Sequence, residues 1–354
     1  MERPGGNGID PLELIDKYGA DALRLSLTVG VAPGNDTRMS DEKIESARNF
    51  ANKLWNAARF VNMNLKNAAP ALDIAALDLA DKWILTRFQD TVRQVTDHLN
   101  EYDLGLACQA AYDFTWNMFC DWTIELSKSA LFGGEGPAKD KARAVLSYVL
   151  EGILKLLHPF IPFITEQLYG LLPFADKAGM LIEADWPTVN PALDFPEEAR
   201  RMDGVIEIVR HVRAMRLERG VPMGKRARLL LRPQPGWADH LKAAAGVFER
   251  LAFAQELVII DSLDEAPPQS AKEVSPAADV ILPLGELLDI DKERARLSKA
   301  LENTRREIER GESKLANEGF VKKAPPSLIE EEKAKLETRR AMLESLQAQR
   351  RDLT

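Results

Sequence analysis

The sequence predicts a mainly α protein: an antiparallel helical bundle, a small α+β linker unit, and a C-terminal antiparallel coiled-coil hairpin. Three observations predict it. From Ser40 onward, apolar residues recur at spacings of three and four for well over a hundred residues. After Trp186-Pro187 the pattern gives way to short runs rich in Val, Leu and Ile. From Leu287 it changes again, to the four-three spacing of a coiled coil.

Taken in order, residues 1–8 are turn-rich, and Asp10-Pro11-Leu12-Glu13 then opens a short helix, with Asp10 as N-cap and Pro11 at the first helical position. Lys17-Tyr18-Gly19 ends it. A second short helix runs from Ala20 to about Val29, and Ala32 to Asp36 forms a turn. The next helix, capped by Ser40, carries one apolar stripe of Ala47, Phe50, Leu54, Ala57 or Ala58, and Val61. Its other faces hold Arg48, Asn52, Lys53, Asn56, Arg59 and Asn62, with no acid after Glu45. Amides and guanidinia in that density suit a surface that reads base edges and phosphates; the plain alternative is a solvated helix face.

Long helices follow over about Leu79–Asn100, Leu104–Ser129 and Ala138–Leu157. Pro159 and Pro162 then force a kink or a new helix start. Such helices with short connections make an antiparallel bundle, and their aromatics are expected in its core. Pro191, Pro196 and Glu197-Glu198 mark a boundary. Arg200–Gly220 is expected as a basic amphipathic helix with Val205, Ile208, Val209, Val212, Met215 and Leu217 inward and Arg210, Arg213, Arg216 and Arg219 outward. Strands are expected over 226–232, 256–261 and 278–284. Finally Leu297, Leu301, Thr304, Ile308, Gly311 and Leu315 mark one heptad helix, and Ile329, Leu336, Leu343, Leu346 and Leu353 its return. The segment 316–326 is the turn between them, and Ser327-Leu-Ile-Glu330 reads as a capping box for the returning helix. The domain boundaries that follow are 1–39, 40–190, 191–286 and 287–354.

Composition narrows the function. At 354 residues, 45% hydrophobic and 29% charged, the chain is globular and large enough for several units. The net charge of −8 argues against polyanion binding by the whole surface. Residues Asp291 to Thr354 nevertheless hold 16 basic and 13 acidic side chains, so the rest of the chain carries a balance of −11. Such an arm can meet a phosphate backbone, although a solvated coiled coil has the same charge mix. Cys108 and Cys120 supply no disulfide framework, no cleavable signal or membrane-length apolar run is present, and a cytoplasmic location is expected. The four histidines are scattered, no metal site is expected, and no catalytic constellation can be argued from the spacings.

Several motifs resemble a known family. Asn7 to Glu13 and Lys17 to Arg24 resemble the segment that follows the KMSKS signature of class I aminoacyl-tRNA synthetases. Arg48 to Val61, Phe119-Cys-Asp-Trp122 and Leu157 to Glu166 look like the class Ia anticodon-binding helical domain. The terminal hairpin, with Leu315 to Pro325 at its turn, is similar to the arm of valyl-tRNA synthetases. This resemblance implies recognition of tRNA(Val) at the anticodon and the outer corner, as the C-terminal part of a valine–tRNA ligase that uses ATP and Mg. It implies no cofactor in this chain, a monomer, and a separate catalytic half as a possible partner. The alternatives are a freestanding tRNA-binding module and a structural coiled-coil adaptor.

The departures from the family matter too. No HIGH-like motif is present, there is no room for a catalytic fold or an editing domain, and Met1-Glu-Arg-Pro-Gly5 stands where KMSKS would be. The chain alone is therefore expected not to activate valine, and no catalytic residue is assigned. For the anticodon the candidates are Phe60, as a stacking platform or as core, with Arg59, Asn56, Asn52 and Lys43. Arg48 is equally suited to pairing with Glu45 or Glu42. For the tRNA backbone at the elbow they are Arg305, Arg306, Arg310, Lys314, Lys322 and Lys323, with Phe320 as a local plug of the turn.

Overall fold

A computed structural model describes residues 10–31, 39–65, 70–174, 177, 179–222, 224–317, 319 and 324–353. The chain divides into two compact units, Met1–Met202 and Asp203–Thr354, and the division falls within a single long helix.

The first unit is the helical bundle. Helices α1 (Pro11–Tyr18) and α2 (Ala20–Thr28) form as expected: Asp10 accepts from Leu12 N, and Gly19 separates them at φ 93°, where a side chain would be strained. The expected turn after α2 lies outside the described residues. Helix α3 (Asp41–Asn64) is capped by Ser40 and buries Ala47, Phe50, Leu54, Ala57, Ala58 and Val61, the stripe legible in the sequence. Helix α4 (Leu79–Asn100) is followed by α5 (Leu104–Asp113), a π-helical stretch over Phe114–Thr123, α6 (Ile124–Leu131), α7 (Pro137–Leu157) and α8 (Pro162–Leu171). The single helix expected over 104–129 is thus wound wider through its middle, where Thr123 Oγ1 donates to Met118 O five residues back. Pro162 starts a new helix, and α2 holds that start in place. Asp21 accepts from Phe163 N and Ile164 N at 3.3 and 2.7 Å, while Arg24 donates to the carbonyls of Pro159 and Phe160 at 3.0 and 3.1 Å. Asp21 thereby caps a helix whose own N-cap residue, Ile161, has no side chain that can accept.

At the start of α4, Asp78 and Asp81 form a reciprocal capping box, and Lys141 of α7 bonds both, 2.7 Å from Asp81. Burial, and then the charge of Asp78, hold the Asp81 carboxyl above the ordinary aspartate value. Lys141→Met is expected to cost about 2 kcal/mol near neutral pH by leaving two partly buried carboxylates together. A group with a raised folded pKa binds its proton more tightly when folded, so stability is lost as pH rises through that value. The deficit should therefore shrink on acidification toward the ordinary aspartate range. Urea midpoints measured against pH check this, and a pH-independent deficit would refute it.

The second unit takes most of α9 (Pro196–Glu218) and a four-stranded sheet. Its strands are β1 (Ala227–Pro233), β2 (Ala254–Ile259), β3 (Ser270–Val274) and β4 (Ala278–Pro283), in the order β2-β1-β4-β3. The β1–β2 pair is parallel, with Leu230 opposite Val258, and helices α10 (Ala238–Ala243) and α11 (Ala245–Leu251) make the crossover. The other two pairs are antiparallel.

Helix α9 corrects one expectation. Arg216 and Arg219 are buried, whereas Leu217 is 83% exposed. Val212, Arg216 and Arg219 follow one another by four and three, so these arginines lie on the inward stripe. They are tolerated there because the guanidinia find acceptors: Arg216 donates to Lys225 O (2.5 Å) and Arg219 to Met215 O (3.2 Å) and the Asp352 carboxylate. Arg213 remains exposed but donates to Leu251 O at 2.9 Å.

The hairpin consists of α12 (Ile290–Ala316) and α13 (Pro326–Arg351). Leu297, Leu301, Thr304 and Gly311 of α12 are buried, as are Leu336 and Leu346 of α13 and Leu353 beyond it. Ion pairs Arg339–Glu307 (3.2 Å) and Arg340–Glu312 (2.8 Å) tie the helices, and Arg294 donates to Leu353 O at the base. The expected capping box at Ser327 does not form. Pro325 occupies the N-cap and Pro326 the first helical position, so Ser327 already lies inside the first turn.

Candidate nucleic-acid interface

On α3 the residues opposite the buried stripe are exposed. Asn52, Asn56 and Arg59, spaced by four and three, share one solvent face. Around that face lie Asn49, Met63 (75% exposed) and Glu45, with Trp55 (39% exposed) and Asn62 on one flank. Trp55, Arg59 and Asn62 line a cleft of about 90 Å³ with Leu168, Leu171 and Leu172 at the C-terminal end of α8. Arg48 has a structural role: it pairs with Glu45 at 3.1 Å and lies 5.6 Å from the Tyr18 ring centroid.

The sequence-predicted residues do not all converge. Asn52, Asn56 and Arg59 come together, and Phe60 flanks them, half-buried and edge-on to Phe132 with ring centroids 6.3 Å apart. Lys43 stands apart, in the first turn and about 20 Å along the helix axis from Asn56.

Sequence reasoning missed a second group on the flank facing α5 and the π-helical stretch. Lys53 Nζ lies 2.6 Å from Asp121 and 3.6 Å from the Trp116 ring centroid, and Tyr112, Phe50 and Trp116 stack beside it. Tyr112 and Trp116 are half-buried, so this aromatic row opens toward solvent beneath a cation. One signal was available: Phe119-Cys-Asp-Trp122 carries Asp121, the lysine's partner.

Burial pushes the thiols of Cys108 and Cys120 up to about 12, so both stay protonated and weakly nucleophilic. Burial lowers the His158 pKa, and its Nδ1 is 2.9 Å from Thr165 Oγ1. Among the described residues, His98, Glu101 and Asp103 have ligating atoms within 4.8 Å of one another, at the α4–α5 turn. Glu101 there is exposed to solvent.

On the hairpin, Arg306, Arg310 and Lys314 are spaced by four and form an outward row on α12, with Arg305 on its flank; all four are exposed. Arg306 pairs with Glu302, and Lys314 with Glu332 across the hairpin at 3.1 Å. Among the described residues, Arg305 and Arg310 have no ion-pair partner. Lys322, Lys323 and Phe320 lie outside the described residues.

Residues 81–231 match the family model described as the anticodon-binding domain of tRNA ligase. Residues 289–354 match that of the valyl tRNA synthetase tRNA binding arm. The first match begins after α3, so the exposed face of that helix lies outside it. Similar curated proteins include the valine–tRNA ligase of Clostridium tetani, 44% identical over 348 residues, which cover 98% of this chain and 39% of that protein. Those of Clostridium acetobutylicum and Staphylococcus saprophyticus are 43% and 41% identical, with 98% and 96% of this chain and 39% of each relative covered. The chain thus spans about two-fifths of the length of the curated relatives it matches.

Proposed function

We propose, on the premise that the chain belongs to the valine–tRNA ligase family as its C-terminal portion, that it recognises a valine-accepting tRNA at two places. The carrying observation is that the bundle and the hairpin, each matched at least in part by a tRNA-binding family model, present surfaces suited to the task. The bundle presents an amide-and-guanidinium face and half-open aromatics, which fit the splayed, unpaired bases of an anticodon loop. The hairpin presents a row of cations without base-reading geometry, which fits the phosphates of the folded tRNA's outer corner.

In this reading, attachment of valine, with its need for ATP and Mg, belongs to the rest of the ligase, supplied as another part of the same chain or as a separate catalytic half. The chain itself works as a monomer in the cytoplasm. Among the described residues no helix is long and apolar enough to cross a membrane.

The two surfaces should fail differently when altered. Replacing Arg306, Arg310 and Lys314 together by alanine is expected to weaken binding of many tRNAs about equally. It should also reduce the slope of log affinity against log salt by about two, roughly 0.7–0.9 for each lost phosphate contact. Asn56→Ala with Arg59→Ala should instead act on the valine tRNA selectively. Filter binding of the chain to valine-accepting and unrelated tRNAs over a salt series checks both. An unchanged salt slope in the first variant would remove the hairpin row from the interface.

A further inference from the structure

Phe132 has no place in the reading so far. It ends α6, is 71% exposed, and is followed by Gly133 and Gly134. An aromatic ring so open to water forgoes the burial that ordinarily places phenylalanine in a core. Its ring is nevertheless held: it stands at 84° to Phe60, centroids 6.3 Å apart, so the two form a right-angled corner. Asn56 and Met63, both exposed, precede and follow Phe60 by four and three residues along the same side of α3.

The corner is built from behind. Asn64 Nδ2 donates to Phe60 O at 2.8 Å, and Arg143 Nε of α7 donates to Asn64 O at 2.7 Å. The same guanidinium donates to both oxygens of Glu135, three residues after Phe132, at 3.0 and 3.4 Å. With only 7% of its side chain exposed, Arg143 fastens the end of α3 and the loop after α6 to a common point. The backbone that carries Phe60 and the loop that follows Phe132 are thus tied to one point without burying Phe132.

We propose that Phe132 is a base-stacking platform: an unpaired base of a single-stranded RNA loop lies on its open face, with Phe60 as a fixed edge beside it and the Asn56 amide within the same surface. This rests on the tRNA-binding reading above. A right-angled aromatic pair contacts a planar ring by face and by edge together, and stacking of this kind tolerates any base. Identity would then be read by the amides around it.

The test is binding of the whole chain to an RNA hairpin carrying the anticodon loop of a valine-accepting tRNA, and to the same hairpin with abasic loop positions. Phe132→Ala and Phe132→Leu are expected to weaken binding of the intact hairpin about tenfold, and Phe132→Trp to retain it. The melting temperature should stay unchanged, because the side chain is already exposed. Removing the bases should abolish the difference between wild type and Phe132→Ala. If Phe132→Ala or Phe132→Leu binds like wild type, or the abasic hairpin binds as tightly as the intact one, the platform is overturned and the tRNA reading stands. If the wild-type chain fails to bind either the hairpin or whole tRNA, both fall.

Discussion

Gly152→Ala is expected to lower the stability of the chain by about 2 kcal/mol in a denaturant melt, although alanine is the better helix former. A Cβ at this position of α7 would lie 2.0 Å from Phe88 Cζ and 2.7 Å from Cε2. The ring has little freedom to withdraw: Phe88 is 3% exposed and meets Phe114 at 5.7 Å and Tyr148 at 5.8 Å between centroids. Overpacking costs typically about 1–3 kcal/mol and sometimes more, against roughly 1 kcal/mol gained in helix propensity, so the clash wins. Phe88→Leu in the same chain should recover part of the loss, as expected for residues in contact. A stabilised single variant would show that the ring moves aside and that α4 and α7 are not as closely seated as described.

Arg143→Met should cost about 2–3 kcal/mol. It removes a donor from the Asn64 carbonyl and separates the end of α3 from the loop after α6. Glu135 and Asp140 are about half exposed and regain water, which keeps the loss below that of a fully buried ion pair. The same substitution should weaken hairpin binding by more than a surface change of equal charge, because the Phe60–Phe132 corner loses its common anchor. Retained stability together with retained binding would show that the clamp holds nothing of consequence.

Much of this was legible in the sequence because local signals agreed with the fold. Helix α4 runs over Leu79–Asn100 as its periodicity indicates, and Asp78 with Asp81 supplies the start signal. What was not legible depended on partners distant in sequence. Strand β3, Ser-Ala-Lys-Glu-Val, lacks β-branched density and exists as an edge strand because β4 offers it a ladder. Arg216 and Arg219 look solvent-facing by residue type, and only the carbonyls and carboxylate waiting for them make burial tolerable. Of the candidate surfaces, the α3 face was visible as an excess of amides and the hairpin cations by residue type, whereas their alignment into an outward row emerged only with the helix. Phe132 was hidden among glycines, since nothing local to Leu131-Phe132-Gly133 tells that Phe60 stands beside it.

The bond between Arg219 and Asp352 bears on the order in which the protein takes shape as it leaves the ribosome. The capping and clamping bonds described for the bundle all join residues of the first 202, so the bundle can close while the remainder is still being made. The second unit has no such independence. Arg219 is buried just past the end of α9, and the Asp352 carboxylate lies 133 residues downstream, past the sheet and both helices of the hairpin. Until Asp352 emerges, that guanidinium has only the half-exposed carboxylate of its neighbour Glu218, 3.4 Å away, as counter-charge, and the place filled by Leu353 stands open. The bundle can be finished before the second unit is made, whereas the base of the hairpin locks only once Asp352 and Leu353 have been synthesised.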